Sequence, residues 1–196
     1  MEYYSVLRAM KAIGRADVCV MMLDAVEGLT DQDKRIAGIA HEEKKPLIIC
    51  VNKWDLLEKD NKTMKKFEEG LRVDLPFLSY APILFISAFT GQRVLNILKM
   101  ANHIYEEYTK RISTGLLNSV LKDAIAVNEA PTRKGRAIKI NYATQISSAP
   151  PRFALFCNHP DLLHFSYIRY IENKFREAFG FDGCPIEIVV NKKNDE

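Results

Sequence analysis

The stretch Pro46–Asp55, PLIICVNKWD, decides the fold of this chain. It contains five consecutive apolar residues, Leu47–Val51, bounded by a proline and by a polar tetrapeptide. Such a short run, rich in β-branched side chains, predicts a parallel strand that is buried on both faces. Open α/β sheets bind ligands at the carboxyl ends of their strands, so Asn52, Lys53 and Asp55 are candidate site residues.

A second apolar run, PILFISA, ends at Ser87 and Ala88, which are therefore expected at the end of the next strand. The two strand ends resemble the N-K-x-D and S-A guanine-recognition motifs of the GTPase superfamily. Guanine presents two adjacent donors, N1–H and the N2 amine, beside the O6 acceptor. The Asp55 carboxylate can accept both donors, while the backbone N–H of Ala88 can donate to O6.

Two further roles are expected at this site. The amide of Asn52 ties the two loops together, and the stem of Lys53 lies along the base plane with its charge in water. The alternative is a solvated turn after a strand, because any single tetrapeptide can occur by accident. Two motifs at two strand ends, in the order of the superfamily, favour the guanine site.

Composition limits the other classes of function. A chain of 196 residues with 47% hydrophobic side chains can form one large or two small cores, and its net charge of +3 gives no argument for nucleic-acid binding. Four widely spaced cysteines without a C-x-x-C pair favour buried thiols in a reducing compartment, and the four histidines form no ligand pattern, so no metal site is predicted. Without a signal peptide or a long apolar run, we expect a cytoplasmic location and no membrane contact.

Helices and strands alternate in the first half. Ser5 is predicted to cap a helix over Val6–Arg15, and Asp17–Ala25 is predicted to be a second buried strand. Thr30 and Asp33 form a capping-box pattern that begins the next helix. The later predicted elements are a helix over residues 63–73, a strand over 83–87 and a helix over 94–110. This alternation predicts an α/β fold with a parallel sheet.

The pattern changes from Thr114. An amphipathic helix, two strands, an uninterrupted helix over residues 160–179 and a last strand over 185–191 predict a small α+β layer with helices on one sheet face. Phe153, Phe156 and Phe165 recur at strand or helix spacing, so they are predicted to lie in the core rather than to stack on nucleic-acid bases.

Much of the chain resembles the C-terminal part of the bacterial Der (EngA) GTPases. The segments that carry the resemblance are ADVCVMMLDAVEGLTDQDKRIAG, VNKWDL, ISAFTGQRV and SYIRYIENKFREAFGFDGCPI. The resemblance implies the back half of a P-loop GTPase sheet over residues 1–112, followed by a KH-like domain over residues 113–196. It also implies GTP or GDP binding, GTP hydrolysis, Mg²⁺ and a role in assembly of the large ribosomal subunit. The large subunit or its rRNA, and the N-terminal GTPase domains of the family, are the expected partners.

Several motifs of that family are missing from this sequence. It has no G-x-x-x-x-G-K-[ST] phosphate loop, no threonine-bearing switch and no D-x-x-G. Without these groups the chain cannot stabilise charge on a transferring phosphoryl group. We therefore expect contacts with the guanine base only, no catalytic residues, no Mg²⁺ ligands and no GTP hydrolysis by this chain alone. A fragment of a longer protein or a degraded copy is expected.

A non-catalytic module that binds rRNA or a protein partner is the alternative function. KH domains clamp single-stranded RNA with a G-x-x-G loop between two helices, and no such loop is present here. A basic loop offers another contact, because four cations within seven residues could track phosphates. A solvated surface loop explains the same run, and the two readings stay open. The candidate residues are Arg133, Lys134, Arg136 and Lys139.

The strand over Asp17–Ala25 carries one more expectation. In a complete domain of this family it pairs with the NKWD strand on one side and with the strand leading into the phosphate loop on the other. The second neighbour is missing from this sequence, so one strand edge should present unpaired N–H and C=O groups. We expect residues 1–112 to associate through this edge, and residues 113–196 to fold on their own.

Overall fold

A computed structural model describes residues 2–58, 60–133 and 135–193, with the backbone alone for residues 2–5. The chain divides into two compact units. Unit 1 contains Met1–Glu107 and Asp182–Pro185, and unit 2 contains Tyr108–Phe181 and Ile186–Glu196. The predicted division at residue 112 stays a prediction, since this grouping by contacts is not a test of where either domain folds.

Unit 1 has the predicted alternation of helices and strands. Its three parallel strands are arranged in the order β1-β2-β3, so the NKWD strand lies in the centre of the sheet. The elements are α1 (Glu2–Arg15), β1 (Cys19–Asp24), α2 (Asp31–Glu42), β2 (Leu47–Asn52), α3 (Thr63–Asp74) and β3 (Ile83–Phe85), followed by α4 (Leu95–Thr109), whose last two residues belong to unit 2.

Two local predictions in unit 1 are confirmed. Every residue of Leu47–Val51 is buried, because β2 has a strand on each side and its side chains enter apolar surroundings on both faces. Helix α2 begins with the capping box: the Asp33 N–H donates to Thr30 Oγ1 at 3.2 Å, and the Thr30 N–H donates to Asp33 Oδ2 at 3.0 Å. Two of the N–H groups at this helix end are thereby satisfied.

Two other predictions in unit 1 are wrong. Helix α1 already runs through Ser5, so Ser5 does not cap it. Strand β1 is not buried on both faces. Val20 and Met22 are 40% and 50% exposed, whereas the alternate residues Met21 and Leu23 are buried. Consecutive side chains of a strand point to opposite faces. One face of β1 is therefore not covered by the described residues.

We predict that the chain associates with itself through β1. Within the described residues β1 pairs with β2 alone, and an exposed apolar edge strand is a template for another strand. Met22→Lys should weaken concentration-dependent association, because a charge on an edge strand opposes pairing. Sedimentation velocity over a concentration series measures it, with Val73→Lys as the control at an 81% exposed position on α3. Equal association of both variants and the unmodified chain would contradict the prediction.

Unit 2 has the predicted order of a helix, two strands, a helix and a strand. Strand β4 pairs antiparallel with β5, and β5 pairs parallel with β6. The elements are α5 (Thr114–Val127), β4 (Ile140–Ser148), β5 (Pro151–Cys157), α6 (Phe165–Phe179) and β6 (Glu187–Lys192). The helices pack on one face of the sheet, where Phe153 of β5 meets Phe175 of α6 with ring centroids 5.3 Å apart.

The predicted uninterrupted helix over residues 160–179 is wrong. A 3₁₀ turn over Pro160–Leu162 is followed by extended backbone at Leu163 and His164, and α6 begins at Phe165. The ring of His164 caps α6 by accepting from the Ser166 N–H at 3.3 Å. Leu162 and Leu163, which lie at this break, are both buried.

The three phenylalanines predicted to lie in the core have different environments. Phe153 is fully buried, which confirms the prediction for this residue. Phe165 is 66% exposed at the start of α6, so the prediction is wrong there. Phe156 is half-buried on the sheet face opposite Phe153. The spacing of these residues correctly predicted strand β5 and helix α6, but it could not predict which face of the sheet the helices cover.

Cysteine burial agrees with the sequence for three of the four residues. Cys50, Cys157 and Cys184 are buried, and burial raises the pKa of the Cys50 thiol to about 11. No helix in the described ranges combines the length and the apolar character needed to cross a membrane.

Candidate functional site

The turn after β2 positions the candidate residues. Lys53 adopts the left-handed conformation with φ of 59°, and Trp54–Leu56 forms a 3₁₀ turn. Trp54 is buried against Phe85 of β3, with ring centroids 4.4 Å apart. Its backbone N–H donates to the Ile86 carbonyl at 3.1 Å. These contacts hold the turn against the next strand, so Asp55 is displayed at the carboxyl end of the sheet.

The structure brings the two predicted motifs together. Asn52 Oδ1 accepts from the Ala88 N–H at 2.9 Å, so the amide joins the two loops. Ser87 is fully buried and does not line the cavity described below; its Oγ accepts from the Thr90 N–H at 3.1 Å. Ser87 therefore shapes the loop, and the Ala88 N–H expected to meet O6 is already bonded to Asn52.

A cavity of about 480 Å³ lies at these strand ends. Four of the five residues predicted to contact guanine line it, together with two apolar side chains. Leu56 is 64% exposed and Phe89 is 94% exposed, so both offer apolar surface to a ligand. The lining residues are Asn52, Lys53, Asp55, Leu56, Ala88 and Phe89.

One oxygen of Asp55 lacks a hydrogen-bond partner. Its Oδ1 atom is buried and accepts no hydrogen bond within the part of the chain that the structure describes. Buried acceptors in folded proteins are nearly always paired, and an unpaired one costs about 1–3 kcal/mol, more when it is charged. A ligand that brings a donor to this carboxylate would remove that cost.

Lys53 is paired with a residue that the sequence analysis did not select. Its Nζ lies 2.5 Å from Asp24 Oδ2 while the side chain is 54% exposed, so the charge is paired at the surface. The hydrogen bond from Lys53 holds the pKa of Asp24 below its usual range, helped by the Val26 N–H at 2.8 Å, and the same bond raises the pKa of Lys53. This pair fixes the direction of the Lys53 stem.

Asp24 could have been predicted as a site residue from the sequence. It ends β1 directly beside Asn52, because the register of the two parallel strands pairs these residues. The rule that ligands bind at carboxyl strand ends applies to every strand of the sheet, and extending it to β1 selects Asp24. For Phe89 the signal was its position next to Ala88 in the sequence.

The basic candidates lie in unit 2. Arg133 and Arg136 form two reciprocal backbone hydrogen bonds, at 3.0 and 2.9 Å, around Gly135 with φ of 71°. Both arginines are exposed, and Lys139 is exposed just before β4. Lys134 lies outside the described residues. The structure therefore brings Arg133 and Arg136 together in one tight turn.

The family implies Mg²⁺, and the described residues offer no assembled cluster of side-chain ligands for it. Within residues 2–58, 60–133 and 135–193, no three His, Cys, Asp or Glu side chains are grouped to hold a metal ion. The Asp24 carboxylate near the cavity is already bonded to Lys53 and to backbone N–H groups.

Known proteins are similar to this chain over its whole length. A curated GTPase Der of Fusobacterium nucleatum subsp. nucleatum is 71% identical over 100% of this chain and 45% of that protein. The GTPase Der of Caldanaerobacter subterraneus subsp. tengcongensis is 54% identical over 100% of this chain and 44% of that protein. The chain thus spans less than half the length of these relatives.

Family models and one solved structure complete the comparison. The crystal structure of Era with MgGDPNP and a segment of 16S ribosomal RNA has a TM-score of 0.42 and 19% identity over 95% of this chain and 68% of that chain. Residues 111–191 match the KH-domain-like, C-terminal model of EngA bacterial GTPase enzymes. Residues 5–144 match the elongation factor Tu GTP binding domain. Given the two family models and the relatives at 71% and 54% identity, the chain belongs to the Der (EngA) family of bacterial GTPases and corresponds to its C-terminal part.

Proposed function

We propose that this chain supplies the guanine-recognition site of a Der-type GTP-binding protein that acts in assembly of the large ribosomal subunit in the cytoplasm. The observation that carries the proposal is Asp55, which lines the cavity at the strand ends and has a buried Oδ1 that accepts no hydrogen bond from any described residue. A carboxylate in this position accepts two adjacent donors, and guanine presents two such donors where adenine presents none.

The other lining groups support a planar base. The stem of Lys53, held by Asp24, provides apolar surface at one wall, and Leu56 and Phe89 provide it elsewhere. On binding, the Ala88 N–H shifts from Asn52 Oδ1 to O6 of the base, since one N–H cannot make two full-strength bonds. GTP or GDP is the proposed ligand, contacted through its base.

The chain alone is expected to bind these nucleotides weakly and not to hydrolyse GTP. In this family the phosphates carry much of the binding energy, and the phosphate loop that holds them is not in this sequence. The N-terminal GTPase domains of the family are proposed partners of this part of the protein.

Titration of the isotope-labelled chain with GDP and with ADP tests the proposal. GDP is expected to shift the amide signals of Leu56, Ala88 and Phe89 in a saturable manner. ADP is expected to leave them unchanged, because its amino group replaces O6 and N1 lacks a hydrogen. Equal shifts with both nucleotides would overturn the proposed guanine recognition.

A second candidate function is RNA contact through the basic turn of unit 2. Arg133 and Arg136 are exposed side by side, and neither forms an ion pair with a described carboxylate. Together with Lys139 and Lys134 they provide positive charge for the phosphates of rRNA. The large ribosomal subunit is the proposed partner, and no membrane contact is proposed.

Arg133→Glu combined with Arg136→Glu is expected to weaken binding to large ribosomal subunits and to flatten its salt dependence. Fewer counterions are released when fewer phosphates are contacted. The slope of the logarithm of the binding constant against the logarithm of the salt concentration should therefore fall in magnitude by roughly 0.7–0.9 for each lost contact. Sedimentation with subunits over a salt series measures this effect. The matched control is Lys99→Glu with Lys122→Glu, which changes the same charge at two exposed helix positions. Indistinguishable slopes for the two variants would assign the turn to ordinary solvated surface.

A further inference from the structure

The carboxylate of Asp24 holds two separate turns of unit 1. Its Oδ1 atom accepts from the backbone N–H groups of Val26 at 2.8 Å and of Glu27 at 3.4 Å. Its Oδ2 atom lies 2.5 Å from Lys53 Nζ. One oxygen therefore serves the turn over residues 24–28, which we call the β1 turn, and the other serves the turn after β2 that carries the guanine-recognition residues.

Backbone hydrogen bonds fix the position of Asp24 independently of Lys53. Asp24 lies beside Asn52 in the register of β1 and β2, and the Ala25 N–H donates to the Asn52 carbonyl at 2.9 Å. The Gly28 N–H closes the β1 turn by donating to the Asp24 carbonyl at 2.8 Å. The carboxylate is thus presented from a rigid part of the backbone.

Lys53, in contrast, has a side chain that depends on this contact for its direction. The side chain lines the cavity and is 54% exposed. A lysine ammonium group sits on a flexible four-carbon stem, which samples many rotamers when it is free in water. A fixed partner at the end of the stem restricts it to the orientation seen at the cavity wall.

We propose that Asp24 is a positioning residue of the guanine site, which holds the Lys53 stem in place for the base and couples the β1 turn to nucleotide binding. This inference rests on the proposed guanine recognition and adds to it a residue that is not among the described residues lining the cavity. Asp24 acts on the base through Lys53.

The sign of the effect separates positioning from simple electrostatics. GDP is an anion, so a carboxylate near its binding site repels it, and removal of that charge would by itself strengthen binding. Loss of the restraint on Lys53 has the opposite effect, because the ligand must then order a mobile side chain at a cost in conformational entropy. Positioning therefore predicts weaker GDP binding when Asp24 loses its charge.

NMR titration of the full chain with GDP tests the proposal. Asp24→Asn keeps an oxygen that can accept from the Val26 N–H and removes the charge that holds Lys53. It is expected to weaken GDP binding about two- to fivefold, the range for a partly exposed ion pair. Asp17→Asn is the matched control, since it makes the same substitution at an exposed residue ahead of β1, and it should bind GDP like the unmodified chain.

A second variant shows whether Asp24 acts through Lys53. Lys53→Met keeps an unbranched stem and removes the ammonium group, so it should weaken GDP binding to the same extent as Asp24→Asn. The double variant should bind no more weakly than either single variant, because both substitutions remove one shared contact. GDP should also shift the amide signal of Val26 in the unmodified chain and leave it unchanged in Lys53→Met.

The mobility of Lys53 gives a readout that needs no nucleotide. Nitrogen-15 relaxation of its ammonium group should show a more mobile side chain in Asp24→Asn than in the unmodified chain. Unchanged mobility, or GDP binding by Asp24→Asn that is equal or tighter, would overturn the positioning role while the preference for GDP over ADP kept the guanine site standing. A chain that did not distinguish GDP from ADP would overturn the guanine site and the positioning role together.

Discussion

Asp55→Asn is expected to reverse the base preference of the chain from guanine to xanthine. The carboxylate accepts the N1 and N2 donors of guanine, whereas the amide offers one donor and one acceptor. Xanthine carries an acceptor oxygen at C2, which the amide N–H₂ can meet. Guanine binding should weaken by about 1.5–3 kcal/mol, roughly 10- to 150-fold, because the lost hydrogen bonds involve a charged group.

Parallel NMR titrations with GDP and xanthosine diphosphate measure the change of preference. The control is Asp17→Asn, which removes the same charge from an exposed residue ahead of β1, at the opposite end of that strand. It should retain the preference for GDP. If Asp55→Asn and Asp17→Asn both kept the guanine preference, Asp55 would not read the base, even if nucleotides bound nearby.

Gly183→Ala should destabilise unit 1 strongly. A Cβ atom at Gly183 would lie 2.5 Å from both Cδ1 and Cγ1 of Ile104, and Ile104 is fully buried, so its side chain would have to shift within the core. The backbone is also held in place, since its N–H donates to the Tyr80 carbonyl at 3.1 Å and its carbonyl accepts from the Leu47 N–H at 3.2 Å. Overpacking of this kind costs about 1–3 kcal/mol.

Backbone conformation adds to this cost, and a second glycine separates the two effects. Gly183 has φ of 71°, which costs an alanine about 1–2 kcal/mol. Gly28 has φ of 79°, but no atom within 4 Å of its added Cβ, so Gly28→Ala carries the conformational cost alone. Urea unfolding of both variants should give a lower free energy of unfolding for Gly183→Ala, and the difference from Gly28→Ala should equal the cost of overpacking. Equal midpoints would show that Ile104 adapts without cost.

The segment Asp182–Pro185 belongs to unit 1 although it is distant in sequence from the rest of that unit. Cys184 Sγ donates to the Ile104 carbonyl at 3.4 Å, across about 80 residues of sequence. This segment groups by contacts with unit 1, although it follows α6 of unit 2 in the chain. Nothing in its own residues indicates that grouping, since a short turn with one glycine and one proline is compatible with either core.

Local features of the sequence determined the central strand, the element order and the site motifs. The apolar run Leu47–Val51 is buried as a central strand, and Thr30 caps α2 with Asp33, because both features depend on residues within a few positions of each other. Asn52 and Asp55 line the cavity for the same reason: a motif placed directly after a buried parallel strand lies at its carboxyl end.

Tertiary structure decided the features that depend on distant neighbours. The Lys53 charge is held by Asp24, which is close only because β1 and β2 align in register. Val20 and Met22 are exposed because no described element covers that face, and the backbone becomes extended at Leu163 and His164 before α6 begins. The buried Asp55 oxygen, which accepts no hydrogen bond from a described residue, likewise depends on tertiary neighbours. Periodicity reports which side chains share a face, but burial, pairing and unsatisfied atoms are set by what packs against that face.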